Sequence, residues 1–130
     1  NAKIKDISQI DVWGDGEQTR TFAYIDDCIN GTLKLFMSDH GEPINIGSSE
    51  QVSINQMIDI IEDIADHKVE RNYQLDKPLG VRGRSSNNDK IKEVLVWEPQ
   101  ISLREGLTKT YNWIHNQLLH ADNTNKFTKF

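Results

Sequence analysis

The stretch Trp13-Gly14-Asp15-Gly16-Glu17-Gln18-Thr19-Arg20-Thr21-Phe22-Ala23-Tyr24-Ile25-Asp26-Asp27 combines a turn, a strand and the start of a helix. Asp15-Gly16 is a tight-turn dipeptide. The runs on either side, Ile10 to Trp13 and Gln18 to Ile25, are rich in β-branched and aromatic residues. This pattern predicts a hairpin or a sharp strand connection. In the second run Thr19, Thr21 and Ala23 fall on one face, and Arg20, Phe22 and Tyr24 on the other. Asp26 or Asp27 then caps a helix that carries Ile29, Leu33 and Phe36 at spacings of four and three.

Downstream, Pro43-Ile44-Asn45-Ile46-Gly47 is short, β-branched and closed by glycine, which predicts a strand. Ser53-Ile54-Asn55-Gln56 fits a capping box. Behind it Ile54, Met57, Ile58, Ile61, Ile64 and Ala65 form an apolar stripe with acidic residues opposite. Val69 to Leu75 alternates weakly and reads as a further strand. Residues 76–90, with Pro78, two glycines, two serines and two asparagines, read as a loop. Lys90 to Trp97 reads as a short helix capped by Asn87 or Asn88, and Pro99 enforces an extended break after it. Ser102 to Glu105 is a second capping box, followed by Leu103, Leu107, Tyr111, Ile114 and Leu118 at helical spacing. Residues 1–9 give no clear reading, and His120 to Phe130 reads as a polar, flexible tail. The order is roughly β-β-α-β-α-β-α-α. It predicts an α/β (α+β) unit in which a small mixed sheet is flanked by helices, with too few strands for a complete doubly wound nucleotide-binding sheet.

Length and charge narrow the function classes. The 130 residues suffice for one domain or part of a larger one. Fifteen Lys and Arg against twenty Asp and Glu leave a net charge of −5, which gives no general reason to bind nucleic acid or an anionic membrane. Apolar runs stop at about four residues (Val94 to Trp97), far short of the roughly 20 a membrane helix needs. The single cysteine, Cys28, cannot form an internal disulfide, which suits a reducing, cytoplasmic setting. The chain opens on Asn1 rather than Met, so it is expected to be processed or to be a piece of something longer.

Local charge is the most informative chemical feature. From 77 to 92 the basic residues Lys77, Arg82, Arg84, Lys90 and Lys92 stand against Asp89 alone, a +4 segment inside a net-acidic chain. Arg82 and Arg84 sit in Gly80-Val81-Arg82-Gly83-Arg84-Ser85, where glycine lets the backbone approach a ligand and guanidinium forks match phosphate oxygens in pairs. The plainer account is a solvated basic loop that balances acidic helices such as 59–66. Arg20, on a strand face with Phe22 and Tyr24, either aims at an anion or pairs with a nearby carboxylate. Other signals are weaker. Gly14-Asp15-Gly16 lacks the third glycine and the strand–helix context of a dinucleotide fingerprint. Tyr73-x-x-x-Lys77 falls on an expected strand, where four residues separate the pair by about 13 Å. The four histidines lack zinc-site spacing. Cys28 reads as a buried, inert thiol. Trp13, Trp97 and Trp113 read as core.

The ordered motifs resemble the C-terminal part of the extended short-chain dehydrogenase/reductase family, the NAD-dependent nucleotide-sugar epimerases and dehydratases. Trp13 to Asp27 resembles its Gly-Asp-Gly…Gln-x-Arg strand and following helix. Pro43 to Gly47 resembles its Asn-Ile/Leu-Gly strand. Leu95-Val96-Trp97-Glu98-Pro99, followed by Leu103 to Gly106, resembles its Leu-Gly-Trp-x-Pro…Leu-x-x-Gly ending, with Val96 where glycine is usual. Gly80 to Asn88 is similar to the Gly-Val-Arg-Gly-Arg loop of the GDP-mannose 3,5-epimerase branch.

The resemblance implies a substrate-binding C-terminal region at 1–119 and a flexible tail at 120–130. It implies a fold whose NAD-binding Rossmann portion is absent from this chain. The diphosphate of a nucleotide sugar such as GDP-mannose would be gripped by Gln18, Thr19 and Arg20 and by Arg84, with Arg82 as second choice. NAD, the Tyr-x-x-x-Lys helix and a Cys/Lys acid–base pair would belong to the N-terminal Rossmann portion of the same protein. No position here matches them, and Cys28 does not correspond to the catalytic cysteine. The chain alone is therefore expected to be catalytically silent, and it can homodimerise. The alternative is a free-standing, non-catalytic module that binds a nucleotide or a protein partner.

Overall fold

The computed structural model describes residues 1–120; the expected tail lies outside the described residues from 121 onward. The elements run α1 (Ala2–Lys5), β1 (Gln9–Trp13), β2 (Thr19–Thr21), α2 (Ile25–Phe36), β3 (Gln51–Ser53), α3 (Ile54–Ala65), β4 (Glu70–Gln74), α4 (Asp89–Leu95) and α5 (Leu103–His120).

The mixed α/β character holds, but the strands divide between two small sheets. β1 pairs in parallel with β4, in register from Gln9 with Glu70 to Trp13 with Gln74. β2 pairs antiparallel with β3, Arg20 opposite Val52. Of the hairpin or sharp strand connection expected across Asp15-Gly16, it is the connection that forms. Gly14 (φ 81°) and Gly16 (φ 73°) turn the chain out of one sheet and into the other. Pro43 to Gly47 is also not a strand: among the described residues it joins no ladder, and side chains hold it instead. Asn88 Nδ2 donates to the Gly47 carbonyl at 2.7 Å, and Asn45 Nδ2 to the Asn87 carbonyl at 3.4 Å.

The helix starts follow local chemistry. Ser53 closes β3 and caps α3. Its hydroxyl accepts from Gln56 N at 3.1 Å, while Gln56 Oε1 accepts from Ser53 N at 2.8 Å. This is the reciprocal box that the sequence predicts. At α2 no side-chain cap forms, because Tyr24, not an aspartate, occupies the cap position. Asp27 is buried, and its Oδ2 accepts from Gln100 N (3.2 Å) and Ile101 N (2.9 Å), fastening the α4–α5 connection to α2. α4 begins one residue earlier than expected; Asn88 holds its cap position without a side-chain cap bond, while Asn87 Oδ1 accepts from Asp89 N at 2.9 Å. Ser102 accepts from Glu105 N at 3.3 Å at the start of α5.

The core is thin. Val12, Ala65, Ile91, Trp97 and Leu103 are its buried apolar members. Of the three tryptophans expected inside, only Trp97 is buried. Trp13 and Trp113 are each 57% exposed, Trp13 because it shares the outward side of β1 with Gln9 and Asp11. Cys28 is half-buried and free. The apolar residues that mark α2 face away from the core: Ile29, Leu33 and Phe36 are exposed, together with Ile25, while Asp27 and Gly31 are buried. Among the described residues no helix is long and apolar enough to cross a membrane.

Candidate functional site

The turn that follows β1 is fixed from α3. Asn55, in the first turn of that helix, donates through Nδ2 to the Asp15 carbonyl (3.1 Å) and to Glu17 Oε1 (2.7 Å). Its backbone N–H donates to the Gly16 carbonyl at 3.0 Å, and its Oδ1 accepts from Tyr73 Oη at 3.0 Å. A Cβ on Gly16 would lie 2.3 Å from Asn55 Oδ1, so this close approach requires glycine. Asp15 Oδ1 accepts from Glu17 N at 3.0 Å, which closes the turn.

β2 emerges from this turn and meets the glycine-rich strap at 80–85. Thr19 N donates to the Arg82 carbonyl at 2.9 Å, and Arg84 N donates to the Thr19 carbonyl at 3.2 Å. These bonds form a parallel bridge between Thr19 and Gly83. Paired residues in a bridge share a face and neighbours alternate, so Arg20, Arg82 and Arg84 all fall on the opposite face. Arg20 Nη1 also donates to the Thr19 carbonyl, at 2.7 Å. A Cβ on Gly80 would stand 3.8 Å from Arg20 Nη2, so the Arg20 guanidinium lies along the strap.

The five cations of this segment differ in their partners. Lys77 pairs with Asp76 (3.5 Å), Lys90 with Glu42 (3.1 Å) and Lys92 with Glu98. Arg82 Nη1 contacts both oxygens of Asp15, at 2.8 and 3.0 Å. This guanidinium, and then the Glu17 N–H, hold the Asp15 carboxyl below its ordinary range. Among the described residues Arg84 and Arg20 form no ion pair, so Arg20 is not the carboxylate-paired strand arginine of the plainer reading. The strap does not balance the acidic side of α3 either. Asp59, Glu62 and Asp63 pair with Arg71, Lys68 and Arg104.

The other two predicted residues lie differently. Gln18 is 8% exposed, and its Nε2 donates to the Trp13 carbonyl at 3.0 Å; its Oε1 is buried without a partner among the described residues. Gln18 therefore bears on the turn from within. Thr19 Oγ1 accepts from Gln51 Nε2 at 2.8 Å, on the face away from the arginines. Sequence reasoning missed Asn55 and the role of Asp15. Their signal was a polar residue inside the capping box and an aspartate between two glycines.

The chain matches the family model described as GDP-mannose 4,6 dehydratase over residues 1–110. It belongs to that family. It is 46% identical over 110 residues to GDP-mannose 3,5-epimerase of Arabidopsis thaliana, covering 85% of this chain and 29% of the relative. It is 40% identical over 105 residues to UDP-glucuronate 4-epimerase of Thermodesulfobacterium geofontis, covering 80% of this chain and 32% of the relative. Among solved structures it resembles UDP-glucuronic acid 4-epimerase from Bacillus cereus, in complex with UDP-glucuronic acid and NAD, with a TM-score of 0.79 and 33% identity over 88% of this chain and 37% of that one. UDP-glucose 4-epimerase from Thermotoga maritima with UDP-glucose gives a TM-score of 0.79 at 31% identity, over 85% and 36%. The chain thus spans about a third of the length of the relatives it matches.

The described residues that could be taken for NAD chemistry do not fit it. Gly14-Asp15-Gly16 leads into a strand rather than directly into a helix, so it lacks the strand–turn–helix order of a dinucleotide-binding loop, and the N–H groups at the start of α3 are spent on the Gly16 and Gln18 carbonyls. Tyr73 lies in β4, where its hydroxyl is bonded to Asn55, and Lys77 lies beyond the strand end.

Proposed function

We propose that this chain is the substrate-binding part of an NAD-dependent nucleotide-sugar epimerase of the GDP-mannose-using kind, and that Arg20 and Arg84 grip the diphosphate. The observation that carries the reading is the Thr19 carbonyl. It receives both the Arg20 guanidinium and the Arg84 N–H, so two cations far apart in sequence share one strand face without carboxylate partners among the described residues. A diphosphate supplies paired anionic oxygen acceptors that planar guanidinium forks match two at a time. Thr19 and Gln18 contribute through the backbone and the turn rather than through free side chains. Arg82 is secondary because Asp15 already occupies it.

Redox chemistry and epimerisation belong, in this reading, to the remaining portion of a longer parent enzyme that carries the NAD-binding fold. The exposed stripe of α2 and the strand-like segment 43–47 without a ladder favour such a companion, because both offer what a neighbouring sheet covers. A free cysteine suits a reducing compartment such as the cytoplasm.

Calorimetry with GDP tests the grip. Arg20→Ala and Arg84→Ala should each weaken binding about tenfold or more, since each removes a charge-assisted hydrogen bond of roughly 1.5–3 kcal/mol. Binding that survives the double substitution would remove the assignment.

A further inference from the structure

The strap that carries Arg84 is held by few contacts. It touches β2 through a single bridge at Gly83, and it contains two glycines, one of them Gly80 at φ 66°. Glycine leaves the backbone free to adopt other conformations, so this bridge alone is a weak restraint. Arg82 belongs to that bridge through its carbonyl and adds a second restraint through its side chain. Its carbonyl accepts from Thr19 N at 2.9 Å, and its Nη1 reaches both oxygens of Asp15. Asp15 is itself immobilised. Its carbonyl accepts from Asn55 Nδ2, its side chain closes the turn on Glu17 N, and Asn55 projects from a helix locked by the Ser53–Gln56 box. A chain of contacts thus runs from α3 through the turn to the strap, and it ends two residues short of Arg84.

We propose that Asp15, acting through Arg82, is a positioning residue that holds the 80–85 strap against β2 and thereby sets the place of Arg84. Its consequence for ligand binding rests on the reading of Arg84 as a diphosphate contact; its structural content does not. The competing possibility is that Arg82 itself meets the ligand and Asp15 merely occupies it beforehand. The two make opposite predictions for one substitution. If Asp15 positions, Asp15→Asn slackens the strap and weakens binding. If Asp15 occupies, Asp15→Asn frees a cation and tightens binding.

The experiment uses the whole chain and four proteins: the parent, Asp15→Asn, Arg82→Ala and the exchanged pair Asp15→Arg/Arg82→Asp. Native-state amide hydrogen exchange is read at Thr19 and Arg84, and GDP affinity by calorimetry. Each single substitution should speed exchange of the Arg84 amide by up to about fivefold, the range of an exposed ion pair, and weaken GDP by a similar factor. The exchanged pair should recover part of the Arg84 protection, because the ion pair is restored in reverse while the turn bond to Glu17 N is lost, whereas a general loss of structure would recover none. Unchanged Arg84 exchange in Asp15→Asn, or tighter GDP binding by that variant, overturns the proposal. If the parent itself fails to bind GDP, the diphosphate reading falls, and the exchange data alone decide whether Asp15 positions the strap.

Discussion

Replacing Val96 by glycine should stabilise the protein. Val96 ends α4 in the left-handed conformation, φ 47° and ψ 45°, with its N–H donating to the Lys92 carbonyl at 3.0 Å. A residue with a Cβ incurs roughly 1–2 kcal/mol there, and a β-branched side chain is the least suited to it. The side chain recovers little, since the residue is 89% exposed. Glycine loses about 0.5–1 kcal/mol through the greater freedom of its unfolded chain. The difference leaves a net gain of about 1 kcal/mol, or about 4 °C in melting temperature for a domain of this size. Thermal and urea unfolding followed by circular dichroism read the change, with Val96→Ala as the control. Alanine keeps the Cβ and should gain only a fraction. If Val96→Gly melts at or below the parent, or alanine gains as much as glycine, the strain does not exist.

Asp27→Ala should lower stability by about 2 kcal/mol, because it leaves the Gln100 and Ile101 N–H groups without their buried acceptor; a urea midpoint unchanged from the parent contradicts this. The lowered carboxyl of Asp15 fixes a pH window. Its contribution is complete above the ordinary carboxyl value of 3.8 and is lost only as pH falls through the depressed folded value. The Asp15 carboxyl carbon, followed by NMR, should therefore titrate below 3.8, and Arg82→Ala should move the midpoint upward; a parent midpoint at or above 3.8 would show that the pair is not formed in solution. Incubated with GDP-mannose and NAD, the chain should give neither NADH absorbance nor epimerised sugar, and turnover by the purified chain would refute the division of labour proposed above.

What could be read from the sequence was whatever a few adjacent residues settle among themselves. The Ser53–Gln56 box lies within one helical turn, and strand alternation by itself put Arg20 opposite Thr19. What could not be read depends on distant partners. β1 pairs with a strand some 60 residues away, and an Asp-Gly turn points no less to a hairpin than to a passage between sheets. Ile44-Asn45-Ile46 has strand chemistry without a ladder among the described residues, and α2 shows apolar periodicity on a side that the described residues leave exposed. Both have one cause: a pattern records what a segment is suited to meet, not whether a partner stands against it among the described residues. Asn55 escaped notice because its hydrogen bonds go to residues 15–17 and to Arg71 and Tyr73, which only folding brings near.

Ser53 is at once the register partner of Thr19 and the cap of α3. The strand that carries Arg20 and the turn before it are therefore tied to the first turn of α3, through Ser53 and Asn55. On the diphosphate reading proposed above, a mutagenesis library should include Ser53 and Asn55 alongside the arginines, since substitutions there would shift the strand without removing a charge.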